Sequence, residues 1–292
     1  MLRARDWILA ARPKTLTAAV IPVVVGVALA FSATGRVEWV WALLALAGAL
    51  LIQIATNLVN DAIDYEKGTD DAQRVGPIRV TASGLIEARQ VKHGAWICFA
   101  AAAVVGIPLL IRGGWPLLAI GLASIAAGYA YTGGPYPLAY HGMGEVFVLA
   151  FFGPVAVGGT YWLQTLSIAP DVLIAGLAIG MPACVLLAVN NLRDVEGDAR
   201  SGKRTLAVRG GRRFAVGEIA VFAFTPLLLG AWWWWRGERV AALLPLLLAP
   251  LAATIVRSAM RDRGAALNAT LGRAAALHAG YGLLFSVGMI VG

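Results

Sequence analysis

Asn57, Asn60, Asp61 and Asp64 fall at i, i+3, i+4 and i+7 within Asn57-Leu58-Val59-Asn60-Asp61-Ala62-Ile63-Asp64-Tyr65-Glu66-Lys67-Gly68-Thr69-Asp70. On a helix, two amides and two carboxylates at that spacing form one stripe. A second acidic stretch, Asn190-Asn191-Leu192-Arg193-Asp194-Val195-Glu196-Gly197-Asp198, sets Asp194 and Asp198 at i and i+4. Carboxylate oxygens suit a hard divalent ion such as magnesium, which keeps part of its water and commonly bridges a few Asp side chains to substrate phosphates. Two such clusters facing one another would hold a pyrophosphate through Mg2+. Arg79, Lys203 and Arg204 lie downstream of the clusters, where they could bind phosphate oxygens directly and stabilise the charge growing on a departing pyrophosphate. Either cluster alone also reads as a helix end carrying solvated charges. An EF-hand is not supported, because 61–71 lacks the spacing and the terminal Glu of that loop.

The elements that must position these residues are set by hydropathy. Of 292 residues, 59% are hydrophobic and 14% charged, with a mean hydropathy of +0.75, so water is not the main solvent of this chain. Apolar stretches long enough to cross a hydrocarbon core of roughly 30 Å recur along it. They place about nine spans at 16–32, 39–58, 94–111, 115–131, 144–162, 170–190, 214–235, 240–256 and 268–291. None shows the alternation of a barrel strand, and an open sheet edge is not viable in lipid, so the expectation is an all-α polytopic membrane protein. The economical division is one integral membrane domain over 1–292, with long charged cap loops at about 60–92 and 191–213. Functional residues concentrate on such loops when rigid elements position them.

The first span follows Arg3, Arg5, Arg12 and Lys14, as a secretory signal would, but further spans follow it rather than a soluble mature domain. Lys67, Arg74, Arg79, Arg89 and Lys92, the basic residues of 193–213, and Arg257, Arg261 and Arg263 lie on the side of the N-terminus. Only Arg36, Arg112, Arg236 and Arg239 lie opposite. That asymmetry places both cap loops on the cytoplasmic side of a cell (inner) membrane. It also accounts for the net charge of +8, which is interleaved with spans rather than gathered into a nucleic-acid-binding face. Trp232 to Trp235 read as an interfacial aromatic anchor. Cys98 and Cys184 read as small apolar side chains, and His93, His141 and His278 lack metal-ligand spacing.

Asn60-Asp61-x-x-Asp64 and Asp194-x-x-x-Asp198 resemble the two motifs of the UbiA-type intramembrane prenyltransferases. Further stretches look like the branch of that family acting on 1,4-dihydroxy-2-naphthoate in menaquinone synthesis. These are Trp7 with Arg12-Pro13-Lys14-Thr15-Leu16, Gly76-Pro77-Ile78-Arg79 with Ser83-Gly84, and Tyr131-Thr132-Gly133-Gly134-Pro135-Tyr136-Pro137-Leu138. Gly144-Glu145, Phe152-Gly153-Pro154, Gly159-Thr160-Tyr161, Gly202-Lys203-Arg204-Thr205-Leu206-Ala207 and Leu267-Asn268 fit it too.

The resemblance implies nine helices around a central cavity, capped by the two loops and open laterally to a prenyl tail. It implies Mg2+ held by Asp61, Asp64, Asp194 and Asp198, with Asn60 as a neutral oxygen ligand or orienter. Many relatives carry a further Asp where this chain has Gly68, and Asp70 stands as its substitute. Polyprenyl pyrophosphate would be the donor and dihydroxynaphthoate the acceptor. The allylic carbon–oxygen bond would weaken, the electron-rich ring would attack, and the ring carboxylate would leave as carbon dioxide. Asn57, Asn190 and Asn191 would line the substrate site beside Arg79, Lys203 and Arg204. Arg12 and Lys14 serve either phosphate or carboxylate binding or only topology. Tyr131 either lines the cavity, its ring facing a cation, or sits at the interface. Glu145, an ionisable group in an apolar setting, is expected to position the aromatic substrate. A sister enzyme using 4-hydroxybenzoate, homogentisate or a chlorophyll precursor would keep the metal motifs. An ion-coupled transporter would carry its carboxylates near the midplane.

Overall fold

Leu, Ile, Val and Ala fill each long segment, and in hydrocarbon such a segment can satisfy its backbone groups only within itself. The computed structural model describes residues 4–70 and 75–292, and among these every regular element is helical. A short helix α1 (Ala4–Ala11) precedes α2 (Pro13–Thr34), α3 (Trp39–Glu66), α4 (Ala88–Gly113) and α5 (Trp115–Ala130). Then come α6 (Gly144–Thr165), α7 (Pro170–Arg193), the short α8 (Val195–Arg200), α9 (Leu206–Trp235), α10 (Arg239–Arg261) and α11 (Gly264–Val291). Among the described residues eight helices are long and apolar enough to cross a membrane, and α5, at 16 residues, is a shorter apolar ninth. The chain is a multi-pass membrane protein, and each of the nine expected spans has its helix. Of the basic residues used to orient it, Arg3 and Arg74 lie outside the described residues.

The ends of the helices depart from hydropathy where polar residues face protein rather than water. The helix α3 continues two turns past its apolar stretch, because Asn57, Asp61 and Asp64 on its inner side are buried against neighbouring chain. The first polar stripe therefore belongs to the body of a helix. At the start of α9 the Thr205 hydroxyl accepts from the Val208 amide at 3.3 Å, an N-cap that begins the helix eight residues before the expected span.

Helix α7 is the hub: 67% of its apolar stretch is buried, against 17% for α4, so α7 is surrounded by protein and α4 lies at the periphery. It packs against α2, α6, α9 and α11, with Ile179, Val25, Tyr161, Tyr281 and Phe285 in one core cluster. Gly176 and Gly180, spaced i and i+4, let α6 approach backbone to backbone. A Cβ on Gly176 would stand 2.6 Å from Pro154 Cα, and one on Gly180 2.6 Å from the Leu149 carbonyl oxygen. On α6 the facing segment Phe151–Val155 is loosened, with Gly153 at φ −112°, ψ −112° and Pro154 lacking an N–H.

Asn57 fastens the N-terminal turn. Its Nδ2 donates to the Ala11 carbonyl at 2.9 Å and to Thr15 Oγ1 at 3.0 Å, while Arg12, at φ 53°, makes the left-handed link from α1 to α2. The four tryptophans divide: Trp234 and Trp235 are exposed as an interfacial anchor should be, but Trp233 is buried edge-on to Phe285 at 5.0 Å. Helical periodicity turns one of four consecutive residues inward, which a purely interfacial reading misses. His278 lies fully buried on α11, with neither ring nitrogen hydrogen-bonded among the described residues.

Gly176→Ala is expected to force α6 and α7 apart and to destabilise the fold by about 1–3 kcal/mol, the usual cost of overpacking. Thermal unfolding of the detergent-solubilised protein should show a lower midpoint than wild type. Gly217→Ala, with open space around its Cβ position, should not.

Candidate functional site

The inner side of α3 ends in buried carboxylates, each held by a different kind of partner. Asp61, 1% exposed, accepts the Val80 amide at 3.2 Å on one oxygen and the Thr81 amide at 3.0 Å on the other. It thereby anchors the connection between α3 and α4. Asp64 accepts from the Tyr140 hydroxyl at 2.9 Å and lies 4.0 Å from Arg79 Nη2. Asp70 is buried with its carboxylate 3.1 Å from Arg79 Nε. Arg79 is itself largely buried, and its Nη1 has no hydrogen-bond acceptor among the described residues. Asn60 Oδ1 accepts a hydrogen bond from the Thr132 hydroxyl, and Lys67 Nζ donates to the Thr132 carbonyl at 2.8 Å.

The second motif is built at the break between α7 and α8. Asp194 (φ −95°, ψ 6°) ends α7, so Asp194 and Asp198 do not share one continuous helix, although the Asp198 amide still donates to the Asp194 carbonyl at 2.8 Å. The buried Arg193 clasps Asp194 through Nε at 2.7 Å and Nη2 at 2.5 Å. The same guanidinium donates to Asn190 Oδ1 at 2.7 Å and Asn268 Oδ1 at 3.0 Å. Asn268 in turn donates to the Val75 carbonyl at 3.1 Å, tying the second motif to the loop that follows the first. Glu145, buried at the start of α6, accepts from Asn191 Nδ2 at 2.8 Å.

Tyr140 joins the two halves. Its hydroxyl reaches Asp64 and, at 2.7 Å, Thr69. Lys67 Nζ stands 4.3 Å and Lys203 Nζ 5.3 Å from its ring centroid, and its carbonyl accepts the Arg204 amide at 3.0 Å. Burial, and next the negative charge of Asp64, push its phenol above the ordinary tyrosine value. Tyr131, just past the end of α5, is pushed the same way by burial first and then by Glu145, Asp64, Cys184 and Asp198. The charges of both motifs thus reach one phenol. Lys67 is lowered by burial and further by Lys203, against the opposing pull of Asp64. On the outer side of Tyr140 lies a cavity of about 500 Å³ lined by Lys67, Pro137, His141, Ser201, Gly202, Arg204 and Arg209.

The structure therefore gathers Asn60, Asp64, Asp70, Arg79, Tyr131, Glu145, Asn191, Asp198 and Lys203 around one region, with Arg204 at its outer rim. Asn57 is spent on the α1–α2 turn, Arg12 contributes a 3.4 Å contact to the Asn57 carbonyl, and Lys14 is exposed. Tyr140, Thr132, Lys67 and Arg193 were not singled out by the sequence reading. Arg193 sits inside the second motif and Tyr140 just past a quoted motif stretch, but their roles depend on long-range partners that spacing does not reveal.

Among the described residues no three His, Cys, Asp or Glu side chains converge to hold a metal unaided. Magnesium does not need such a cage, since it is usually held by one or two carboxylates, water and substrate phosphate. The oxygen-only donor set fits that mode. The oxygens of Asp61 and Asp194 are already engaged, by backbone amides and by Arg193 respectively.

Residues 19–277 match the model of the UbiA prenyltransferase family. The chain is similar to the 1,4-dihydroxy-2-naphthoate octaprenyltransferase of Mycobacterium tuberculosis, 43% identical over 210 residues that cover 70% of this chain and 69% of that protein. The protein of the same name from Haemophilus influenzae is 36% identical over 214 residues, covering 71% and 70%. In fold the chain is similar to a UbiA homolog from Archaeoglobus fulgidus solved bound to DMAPP and Mg2+, with a TM-score of 0.63, 16% identity, and coverage of 97% of this chain and 99% of that one.

Asp61→Ala is expected to leave the Val80 and Thr81 amides without their acceptor, at about 1–3 kcal/mol for a buried unmet donor. Hydrogen–deuterium exchange should accelerate across residues 78–86 and stay unchanged in α7. Unchanged protection in 78–86 would show that the carboxylate does not hold this loop.

Proposed function

Because the chain belongs to the UbiA prenyltransferase family, we propose that it transfers a polyprenyl chain from polyprenyl pyrophosphate to 1,4-dihydroxy-2-naphthoate, with loss of the ring carboxylate, giving the reduced, hydroquinone form of demethylmenaquinone. The observation that carries this reading is that Tyr140 bridges the two motifs: its hydroxyl is on Asp64, and its carbonyl accepts the amide of Arg204, next to Lys203, whose own amide donates to the Asp198 carbonyl. The shared name of the similar bacterial proteins favours the naphthoate acceptor. The excess of Lys and Arg on the side of the two cap loops favours a cytoplasmic site in the cell (inner) membrane. All of this is read as one membrane domain.

Magnesium, held by Asp64 and Asp198 with Asp61, Asp194, Asn60 and Asp70 around them, would neutralise the leaving pyrophosphate. The chain's own residues do the rest. Arg79, with an unmatched Nη1 in a buried setting, binds a phosphate oxygen, and Lys203 and Arg204 add positive charge on the departing side. The allylic carbon–oxygen bond breaks as its electron pair goes to the pyrophosphate, and the cation-like carbon faces the Tyr131 ring. Glu145, fixed by Asn191, orients the acceptor. The ring carbon bearing the carboxylate attacks, the new carbon–carbon bond forms, and carbon dioxide leaves, its bonding pair restoring aromaticity. Exclusion of water by the surrounding helices favours ring attack over hydrolysis.

Mass spectrometry of reactions containing dihydroxynaphthoate, a prenyl pyrophosphate and magnesium tests this. Asp64→Ala and Asp198→Ala are expected to lower kcat by about 100-fold or more, and Arg79→Ala to raise KM for the prenyl pyrophosphate. Prenylation of 4-hydroxybenzoate with dihydroxynaphthoate ignored would overturn the acceptor. Full activity in both Asp variants would overturn the roles of these residues.

A further inference from the structure

The cavity on the outer side of Tyr140 is lined by four basic or imidazole side chains and, among the described residues, by no carboxylate. Lys67, Arg204 and Arg209 come from three different segments: the end of α3, the loop after α8 and the first turns of α9. Their placement is built rather than incidental. The Arg204 amide is bonded to the Tyr140 carbonyl, and His141 is fixed by its Nδ1 on the Pro137 carbonyl and by stacking 3.6 Å from the Tyr136 ring. The Arg209 guanidinium lies over Gly142, where a Cβ would come within 3.4 Å of its Nε. Neither Arg204 nor Arg209 pairs with a carboxylate among the described residues. Tyr140 is the partition, since its hydroxyl is on Asp64 while its ring lines this cavity beneath Lys67 and Lys203.

We propose that this cavity is a second anion site, an exit seat that receives inorganic pyrophosphate after transfer. The proposal rests on the function proposed above. The acidic chamber can hold a polyanion only while a cation screens its carboxylates. The outer cavity, about 500 Å³ in volume and positively charged, attracts the same polyanion without any metal. Passage from one to the other carries the product from the Asp64 side of Tyr140 to the Arg209 side, toward water, and needs no covalent step.

The test uses the intact protein in nanodiscs and inorganic pyrophosphate with EDTA, read by isothermal titration calorimetry. Wild type is expected to bind the anion without metal. Arg209→Ala should weaken binding about tenfold, the worth of one charge-assisted hydrogen bond, and Asp64→Asn should not weaken it. In the transfer assay, Arg209→Ala should raise the inhibition constant of product pyrophosphate by a similar factor and leave KM for the prenyl pyrophosphate unchanged. Arg209→Lys, which keeps the charge, should recover most of the binding and controls for folding. Absence of metal-free binding in an enzyme that transfers normally would overturn the exit seat and spare the reaction. Binding that ignores Arg209, or that 1-naphthoate displaces at equal concentration, would also overturn it. Metal-free, Arg209-dependent binding in a chain inactive in transfer would remove the exit role along with the reaction.

Discussion

Ionised carboxylates taken out of water must be answered by charge or by hydrogen bonds, and this chain buries several at the ends of two membrane helices. The answers differ, and the differences shape the site. Asp61 takes two backbone amides, Asp64 a phenol with Arg79 nearby, Asp70 the same guanidinium, Glu145 an amide, and Asp194 both arms of Arg193. The two long connections have their form because they deliver these partners. The Gly76–Ser83 stretch must bring the Val80 and Thr81 amides to Asp61 and Arg79 to Asp64. The 131–142 segment must bring Tyr140 between the two motifs.

Such an arrangement is poised for an exchange of partners. Arg79 lies between two carboxylates and its Nη1 has no acceptor among the described residues, so it can turn toward an incoming phosphate without abandoning Asp70. Lys67 and Lys203 flank one ring, and burial, with the nearby Lys203 charge adding to it, disfavours the charged form of Lys67, a cost that an arriving anion relieves. Asp61 and Arg193, by contrast, hold backbone and neighbouring amides, and their bonds tie the framework that the exchange leaves in place.

Much of this was legible in the residues. Helical spacing placed Asp61 and Asp64 on one inner side of α3, and hydropathy placed nine helices so that both motifs end on one side. What hydropathy could not show is which polar groups prolong a helix past its apolar stretch, so α3 and α9 run further than expected. Spacing also could not separate Asn57, which ties down the α1–α2 turn, from Asn60 one turn later, because both share the stripe and only their partners differ. The expected continuity of Asp194 with Asp198 failed at a single backbone position, where the carboxylate clasped by Arg193 ends α7. Tyr140 left no local signature, since its partners lie some seventy positions earlier in the chain or arrive through Arg204.

The helix α5 is shorter than a bilayer requires. Its 16 residues span about 24 Å at 1.5 Å per residue, short of a hydrocarbon core roughly 30 Å thick. A mismatch of that size is met by local thinning of the bilayer or by flanking side chains that reach to the interface, and Tyr131, just past the end of α5, stands at that edge.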